Sequence, residues 1–182
     1  MSLYYLNRKV KVKLNLKTQL TKQIEQALVT KYCGGNFKQN YGAIEVPTSY
    51  QLGHGKENVD FAMYAPRTQD VGCYEIKISK DDFNSRASLS FCGNKNYLVA
   101  EHNLAQYLLA NWHNHKIVNT WTHKNLAIHG VGLIEYRDGK LTTLIQCKRR
   151  EIHLENKVAL IEGILRAGCR DAEKAYNQGL FL

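Results

Sequence analysis

Three side chains that could support phosphodiester hydrolysis lie close together in the sequence. Asp60 opens an apolar segment, and Glu75 and Lys77 follow in the next one. Two carboxylates can share a hard divalent cation such as Mg²⁺, which polarises a phosphoryl oxygen and lowers the pKa of a bound water. A nearby lysine can orient that water or stabilise charge developing on the phosphate. The residue types therefore indicate metal-assisted hydrolysis, provided that the fold brings them together.

Two predicted strands, 58–65 and 71–79, must position these side chains. Side chains alternate between the two faces of a strand, so Glu75 and Lys77 share a face and Ile76 points to the opposite one. The connection between the strands is short and contains proline, which predicts an antiparallel hairpin. A hairpin would place Asp60 beside Glu75, although the sequence does not fix the register.

The spacing acid-x-Lys is not specific by itself. It occurs three times, as Glu75/Lys77, Asp138/Lys140 and Glu155/Lys157. The second pair spans a turn and the third lies on a predicted surface helix, so both indicate solvated charge. Only the first pair lies on a predicted buried strand that follows a strand headed by an acid.

The remaining pattern predicts one α/β domain. Thr18 or Thr21 caps the first helix, Ser79 caps the second, and Arg137-Asp138-Gly139 forms a hairpin turn. Residues 8–17 alternate as a basic strand, and 113–128 have no clear pattern. The other predicted elements are a helix at 18–32, strands at 43–48, 58–65 and 71–79, a helix at 80–88, a strand at 95–100, a helix at 103–112, strands at 129–136 and 140–147, and a helix at 154–178.

Length, charge and cysteine content restrict the class of protein. The 182 residues suit a single domain, 1–182, with its core at about 18–100. The net charge of +9 favours an anionic partner, most commonly nucleic acid. No apolar segment approaches the roughly 20 residues of a membrane span, and no secretory signal is evident. The five cysteines never show C-x-x-C spacing. We therefore expect a cytoplasmic protein with reduced thiols and no membrane partner.

The order helix, three strands, helix, strand, with Asp60 at a strand head and Glu-x-Lys on the next strand, resembles the PD-(D/E)XK nuclease superfamily. Residues 74–83, YEIKISKDDF, and 93–99, GNKNYLV, are similar to small nuclease-like proteins of bacteria and phages and to DNA-repair proteins of the MmcB type. The resemblance implies a restriction-endonuclease-like core, a central mixed sheet flanked by helices, followed here by a C-terminal hairpin and helix. Val59 replaces the proline of the superfamily name.

The resemblance also implies an activity and a ligand set. It implies a nuclease dependent on Mg²⁺ or Mn²⁺, with DNA as substrate. Asp60, Glu75 and the carbonyl of Ile76 would bind the metal, and Lys77 would assist the attacking water. Many members add a glutamate from the first helix, and Glu25 is the matching residue. An ordinary surface glutamate is the alternative for Glu25.

Four side chains are predicted to contact nucleic acid, namely Lys80, Arg86, Lys95 and His54. Lys80 and Arg86 belong to the second helix, whose N-terminus would attract phosphate, although Asp82 on the same helix would repel it. Lys95 leads into the next strand, and His54 lies in a Gly-His-Gly loop near Asp60. Helix capping and solvated surface charge are the alternative explanations.

Two other functions stay open on the sequence. A catalytically silent nucleic-acid-binding protein would keep the fold and the basic surface, although two acids where phosphates approach argue against it. A protein-interaction module would use the three residues as a structural charge network. A homodimer also stays open, because small nucleases that cut both strands often pair. The histidines at 113, 115, 123 and 129 indicate a polar loop more than a metal site.

Overall fold

The second and third strands form the antiparallel hairpin that the sequence predicts. In the computed structural model, Phe61 pairs with Tyr74 and Ala65 pairs with Asp70. The turn between the strands ends at Gln69, whose φ of 56° is left-handed. The structure describes residues 18–35, 39–48, 58–85, 89–112 and 126–180. The predicted strand at 8–17 lies outside these ranges.

The order of elements confirms the predicted α/β fold. A helix, three strands, a helix and a strand are followed by another helix, a hairpin and a long C-terminal helix. The described elements are α1 (Gln19–Tyr32), β1 (Tyr41–Pro47), β2 (Asn58–Ala65), β3 (Asp70–Lys77), α2 (Lys80–Phe83), β4 (Lys95–Glu101), α3 (His102–Asn111), β5 (Gly132–Arg137), β6 (Lys140–Ile145) and α4 (Leu154–Asn177). Within the described ranges, none of the helices is long and apolar enough to cross a bilayer.

The described strands form a single mixed sheet whose strand order follows the chain, from β1 to β6. β1, β2 and β3 pair antiparallel, and so do β5 and β6. β3, β4 and β5 pair parallel, with α2 and α3 in the connections. Because these three strands run in the same direction, their C-terminal ends lie side by side at one end of the sheet.

One face of the sheet is covered by α1. The helix begins as predicted, with the Thr18 hydroxyl accepting a hydrogen bond from the Thr21 amide at 3.2 Å. Ile24 and Leu28 are fully buried against the β2–β5 side chains of this face, including Tyr74, Ile76, Tyr97 and Val99. Ile76 therefore points to the core, as predicted.

The opposite face is covered by α3 and α4, which lie over different strands. Leu104 and Leu108 of α3 pack against Leu98 of β4 and Leu133 of β5. α4 packs over β1 and β2, where Leu160 and Ile164 contact Val46 and Val59. Gly163 permits this approach, because a Cβ there would lie 2.5 Å from the Pro47 carbonyl oxygen. The end of β3 therefore lies between the two helices.

A charge cluster around the buried Asp70 links the other end of the sheet, where β3 and β4 begin, to the segment after β6. Asp70, whose side chain is 3% exposed, accepts from Lys95 Nζ at 3.0 Å and from Arg149 Nε at 2.9 Å. Burial raises the pKa of Asp70, but the bonds and charges of the two cations outweigh it, so the pKa is lowered. The ionised carboxylate thus holds the start of β3 to the start of β4.

Candidate active site

The β2–β3 hairpin brings Asp60 and Glu75 together. The observed pairing of Phe61 with Tyr74 places Asp60 opposite Glu75 when it is continued by one residue. Side chains opposite each other on antiparallel strands have Cβ atoms about 4.5–5.5 Å apart. Lys77 lies two residues further along β3, so it shares the face of Glu75. The register of the hairpin and the charge interactions of Glu75 with Asp60 and Lys77 place these three residues near one another.

The Asp60 carboxylate is oriented by the neighbouring strand. It is half-buried, and its Oδ2 accepts a hydrogen bond from the Ile76 backbone amide at 2.7 Å. A bond to an ionised acceptor is among the stronger hydrogen bonds in proteins. Asp60 is therefore held against β3 at the peptide between Glu75 and Ile76.

Glu75 is buried beside this carboxylate. Its side chain accepts a hydrogen bond from the Ser90 amide through Oε1 at 3.0 Å, and the residue is 3% exposed. Burial raises the pKa of Glu75 well above its usual range, and the Asp60 charge raises it further. The Ser90 amide and the Lys77 charge oppose this shift but do not cancel it. An additional positive charge would favour ionisation of Glu75.

Lys77 is held by the start of α2. Its side chain is buried, and Nζ lies 3.5 Å from Asp82 Oδ1. Asp82 Oδ2 accepts from the Ile78 amide at 3.0 Å, and the Asp82 amide donates to the Ser79 hydroxyl at 3.1 Å. The predicted Ser79 cap is confirmed. On the sequence, Asp82 is a capping-box partner of Ser79 and a charge that would repel phosphate. The structure shows in addition that its carboxylate lies beside the Lys77 ammonium.

The two acids of this cluster are the residues that could hold a magnesium or manganese ion. Two carboxylate oxygen groups lie side by side, and Mg²⁺ is commonly held by one or two carboxylates together with waters and substrate phosphates. Burial, and after it the nearby Asp60 charge, raise the pKa of Glu75, and a bound divalent cation would favour the ionised form. Asp60, Glu75 and the Ile76 carbonyl are the residues that would hold the ion.

The structure does not place Glu25 in this cluster. Glu25 is buried on α1, next to Ile24, on the helix that covers the other face of the sheet. Among the described residues, no three His, Cys, Asp or Glu side chains are grouped closely enough to hold one ion. Glu25 therefore does not complete a three-acid set with Asp60 and Glu75.

Of the residues predicted to contact nucleic acid, Lys80 lies near Lys77 and Lys95 does not. Lys80 lies at the start of α2, close to Lys77, with Nζ 3.6 Å from the centre of the Tyr107 ring. Lys95 pairs with Gly72 at the start of β3, about 16 Å from Lys77 at 3.3 Å per residue. Lys95 is also engaged by Asp70, so it does not belong to this site. Arg86 and His54 lie outside the described residues.

A second polar cluster lies in the same row across the sheet. Lys77 pairs with Ala100 on β4, and Ala100 pairs with Glu135 on β5. Glu135 Oε1 is bonded to His102 Nδ1 and accepts from Gln106 Nε2, both at 2.7 Å. Burial raises the pKa of Glu135, but these two bonds and the charge of His102 outweigh it, so the pKa is lowered. This cluster was not predicted from the sequence, because local patterns do not reveal parallel register.

Comparison with known proteins identifies a shared fold. No family model matches the sequence, and no curated protein matches it. A solved structure that resembles the chain is the SPO1766 protein of Silicibacter pomeroyi, described as a protein of unknown function. The two share 13% identity with a TM-score of 0.61, over 92% of this chain and 97% of that one. At this identity, the likeness extends to the fold alone.

Proposed function

We propose that this protein is a metal-dependent nuclease that hydrolyses phosphodiester bonds, with DNA as its substrate. The observation that carries the proposal is the hydrogen bond from the Ile76 amide to Asp60 Oδ2, which holds this carboxylate next to Glu75, with Lys77 two residues further along β3. A buried glutamate beside a second carboxylate and a buried lysine is costly unless a bound ion or substrate uses it. The choice of DNA rests on the resemblance of residues 74–83 and 93–99 to DNA-acting proteins.

The site divides the work among a few residues. A bound Mg²⁺ or Mn²⁺ would activate a water and polarise the phosphoryl oxygen. Asp60 and Glu75 supply oxygen ligands whose orientation is fixed by the Ile76 and Ser90 amides. Lys77 offers a proton donor and a positive charge to the phosphate, and Asp82 keeps its ammonium in place. The net charge of +9 favours association with a polyanion.

Cleavage assays with isosteric variants test the proposal. Labelled plasmid, linear duplex, single-stranded and branched DNA are incubated with Mg²⁺, with Mn²⁺ and with EDTA. We expect metal-dependent cutting by the wild type and a loss of about 100-fold or more in Asp60→Asn and Lys77→Met. Both variants remove charge at nearly constant volume.

The chain offers a matched control at the same spacing. Glu155 and Lys157 on α4 form a Glu-x-Lys pair away from the hairpin. The double variant Glu155→Gln/Lys157→Met should cut like the wild type. Equal losses in the control and in the site variants would contradict the proposal. Salt-sensitive binding without cutting would favour the catalytically silent alternative, and the absence of both would remove nucleic acid as the ligand.

A further inference from the structure

A groove opens at the ends of the strands that neighbour the one carrying Lys77. It has a volume of about 950 Å³ and lies between the first half of α1 and the C-terminal ends of β4 and β5. Gln19, Gln23 and Gln26 line the α1 side, at spacings that place them on one helix face. The β5–β6 turn, residues 137–139, lines the other side. Leu20 and Tyr136 add apolar surface to the lining.

His102 joins this groove to Glu135, which lies in the same row of the sheet as Lys77. Its ring lines the groove and is 32% exposed, while Nδ1 is fixed by the Glu135 carboxylate. Glu135 lies two strands from Lys77 in the same row of the sheet, which corresponds to about 10 Å between backbones. Lys77 on β3 and Glu135 on β5 therefore lie in one row of the sheet, and Ala100 on β4 is the small residue between them.

The lining matches the chemistry of a nucleic acid strand. Lys22 and Arg137 supply positive charge, His102 can donate to phosphate, and glutamine amides can pair with base edges. Two acids also line the groove, but both are engaged. The Glu101 carboxylate accepts from the Asn103 amide at 2.9 Å, and Asp138 Oδ2 lies 3.5 Å from Arg137 Nε.

We propose that this groove binds the single strand adjacent to the scissile bond, with His102, Lys22 and Arg137 on phosphates and the α1 glutamines on base edges. Pockets of about 300–1,000 Å³ hold ligands of drug size, a range that suits a short stretch of nucleotides and not a duplex. The inference rests on the proposed function, because it assigns the substrate strand a path next to Lys77.

Charge-matched variants test the groove separately from overall charge. Lys22→Gln/Arg137→Gln removes two cations from the lining. Lys174→Gln/Arg166→Gln removes two cations from α4, where Arg166 is paired with Glu162 much as Arg137 is paired with Asp138. The two double variants have the same net charge. Binding of a labelled single-stranded oligonucleotide is measured by fluorescence anisotropy in an Asp60→Asn background, which prevents cutting.

We expect the groove variant to bind about five- to tenfold more weakly. The slope of its salt dependence should fall by about 1.4, which is about 0.7 for each phosphate that the protein no longer neutralises. The α4 variant should change affinity less than about twofold. His102→Gln, which can still bond to Glu135, should weaken binding in the same direction. Thermal melting checks that each variant is folded.

Three results would overturn the groove proposal, and they differ in what they mean for the nuclease proposal. Equal loss of affinity in both double variants would show that only net charge matters, and it would overturn the groove proposal. Wild-type affinity in the groove variant, with cutting still abolished in Lys77→Met, would overturn the groove and leave the nuclease proposal standing. A wild type that binds no nucleic acid would overturn both.

Discussion

Replacement of Glu75 by glutamine should raise stability and abolish activity at the same time. The amide has the same shape and keeps an oxygen for the Ser90 amide, so the hydrogen bond is retained. It removes a buried negative charge that lies opposite Asp60. We therefore expect Glu75→Gln to melt at a higher temperature than the wild type at neutral pH in EDTA.

The magnitude follows from the geometry of the hairpin. Opposite positions on paired strands have Cβ atoms about 5 Å apart, and two unit charges at that distance repel each other by about 3 kcal/mol at an effective dielectric constant of about 20. Attraction to Lys77 offsets part of this repulsion. A net gain of about 1–2 kcal/mol would raise the melting temperature by about 2–8 °C in a chain of this size.

The stability difference between Glu75→Gln and the wild type should depend on pH. The raised pKa of Glu75 means that the folded protein holds this proton more tightly than the unfolded chain does. Wild-type stability therefore falls as the pH rises above about 4.3, the pKa of an unperturbed glutamate, and levels off once the folded pKa is passed. The advantage of Glu75→Gln should be small at low pH and should grow across this window.

Thermal melting from about pH 5 to pH 9 in EDTA measures this difference, with Glu155→Gln as the exposed control. Added Mg²⁺ should stabilise the wild type, because binding to the folded state alone shifts the equilibrium, and should not stabilise Glu75→Gln. A variant that melts below the wild type at every pH, or an advantage that does not change with pH, would refute this account of the buried acid pair.

Two further substitutions test the Asp70 ion pairs and the packing of α4 against the sheet. Asp70→Asn should cost about 1–2 kcal/mol near neutral pH, a reduced value because Lys95 and Arg149 are partly exposed and can be hydrated. Because the pKa of Asp70 is lowered, the wild-type advantage should persist above about pH 4 and shrink below it; urea unfolding that shows no such change with pH would contradict the ion-pair assignment. Gly163→Ala should destabilise by about 1–3 kcal/mol despite the better helix propensity of alanine, because its Cβ meets the Pro47 carbonyl. Gly168→Ala is the control on the same helix, since a Cβ there meets nothing within 4 Å, and it should be neutral or stabilising in the same urea titration.

The hairpins and helix caps could be predicted because their determinants are local. Thr18 and Ser79 cap helices where the sequence places them, and Arg137 and Lys140 close the predicted β5–β6 hairpin. The pairing of Asp60 with Glu75 is likewise decided by a short turn. Hydrophobic alternation then requires the register that buries Phe61 and Tyr74 together.

The features that could not be predicted depend on long-range register. Glu135 joins the row of Lys77 only because β4 and β5 pair parallel at specific residues. Lys95 was expected near the phosphates, but the start of a parallel strand lies beside the start of its neighbour, far from Lys77. Glu25 is expected in the metal set, but among the described residues no three acids are grouped closely enough to hold an ion.

The antiparallel pairing of β2 with β3 has a consequence for how the site forms during folding. The two strands that carry the carboxylates are joined by a turn of four residues, so closing this hairpin costs little chain entropy. The row from Lys77 to Glu135 instead requires two parallel crossovers, which are non-local contacts and form slowly. The acid pair thus belongs to the low-contact-order part of the chain, and its electrostatic strain arises as soon as that hairpin is buried. The groove between α1, β4 and β5 can form only after β5 has joined the sheet.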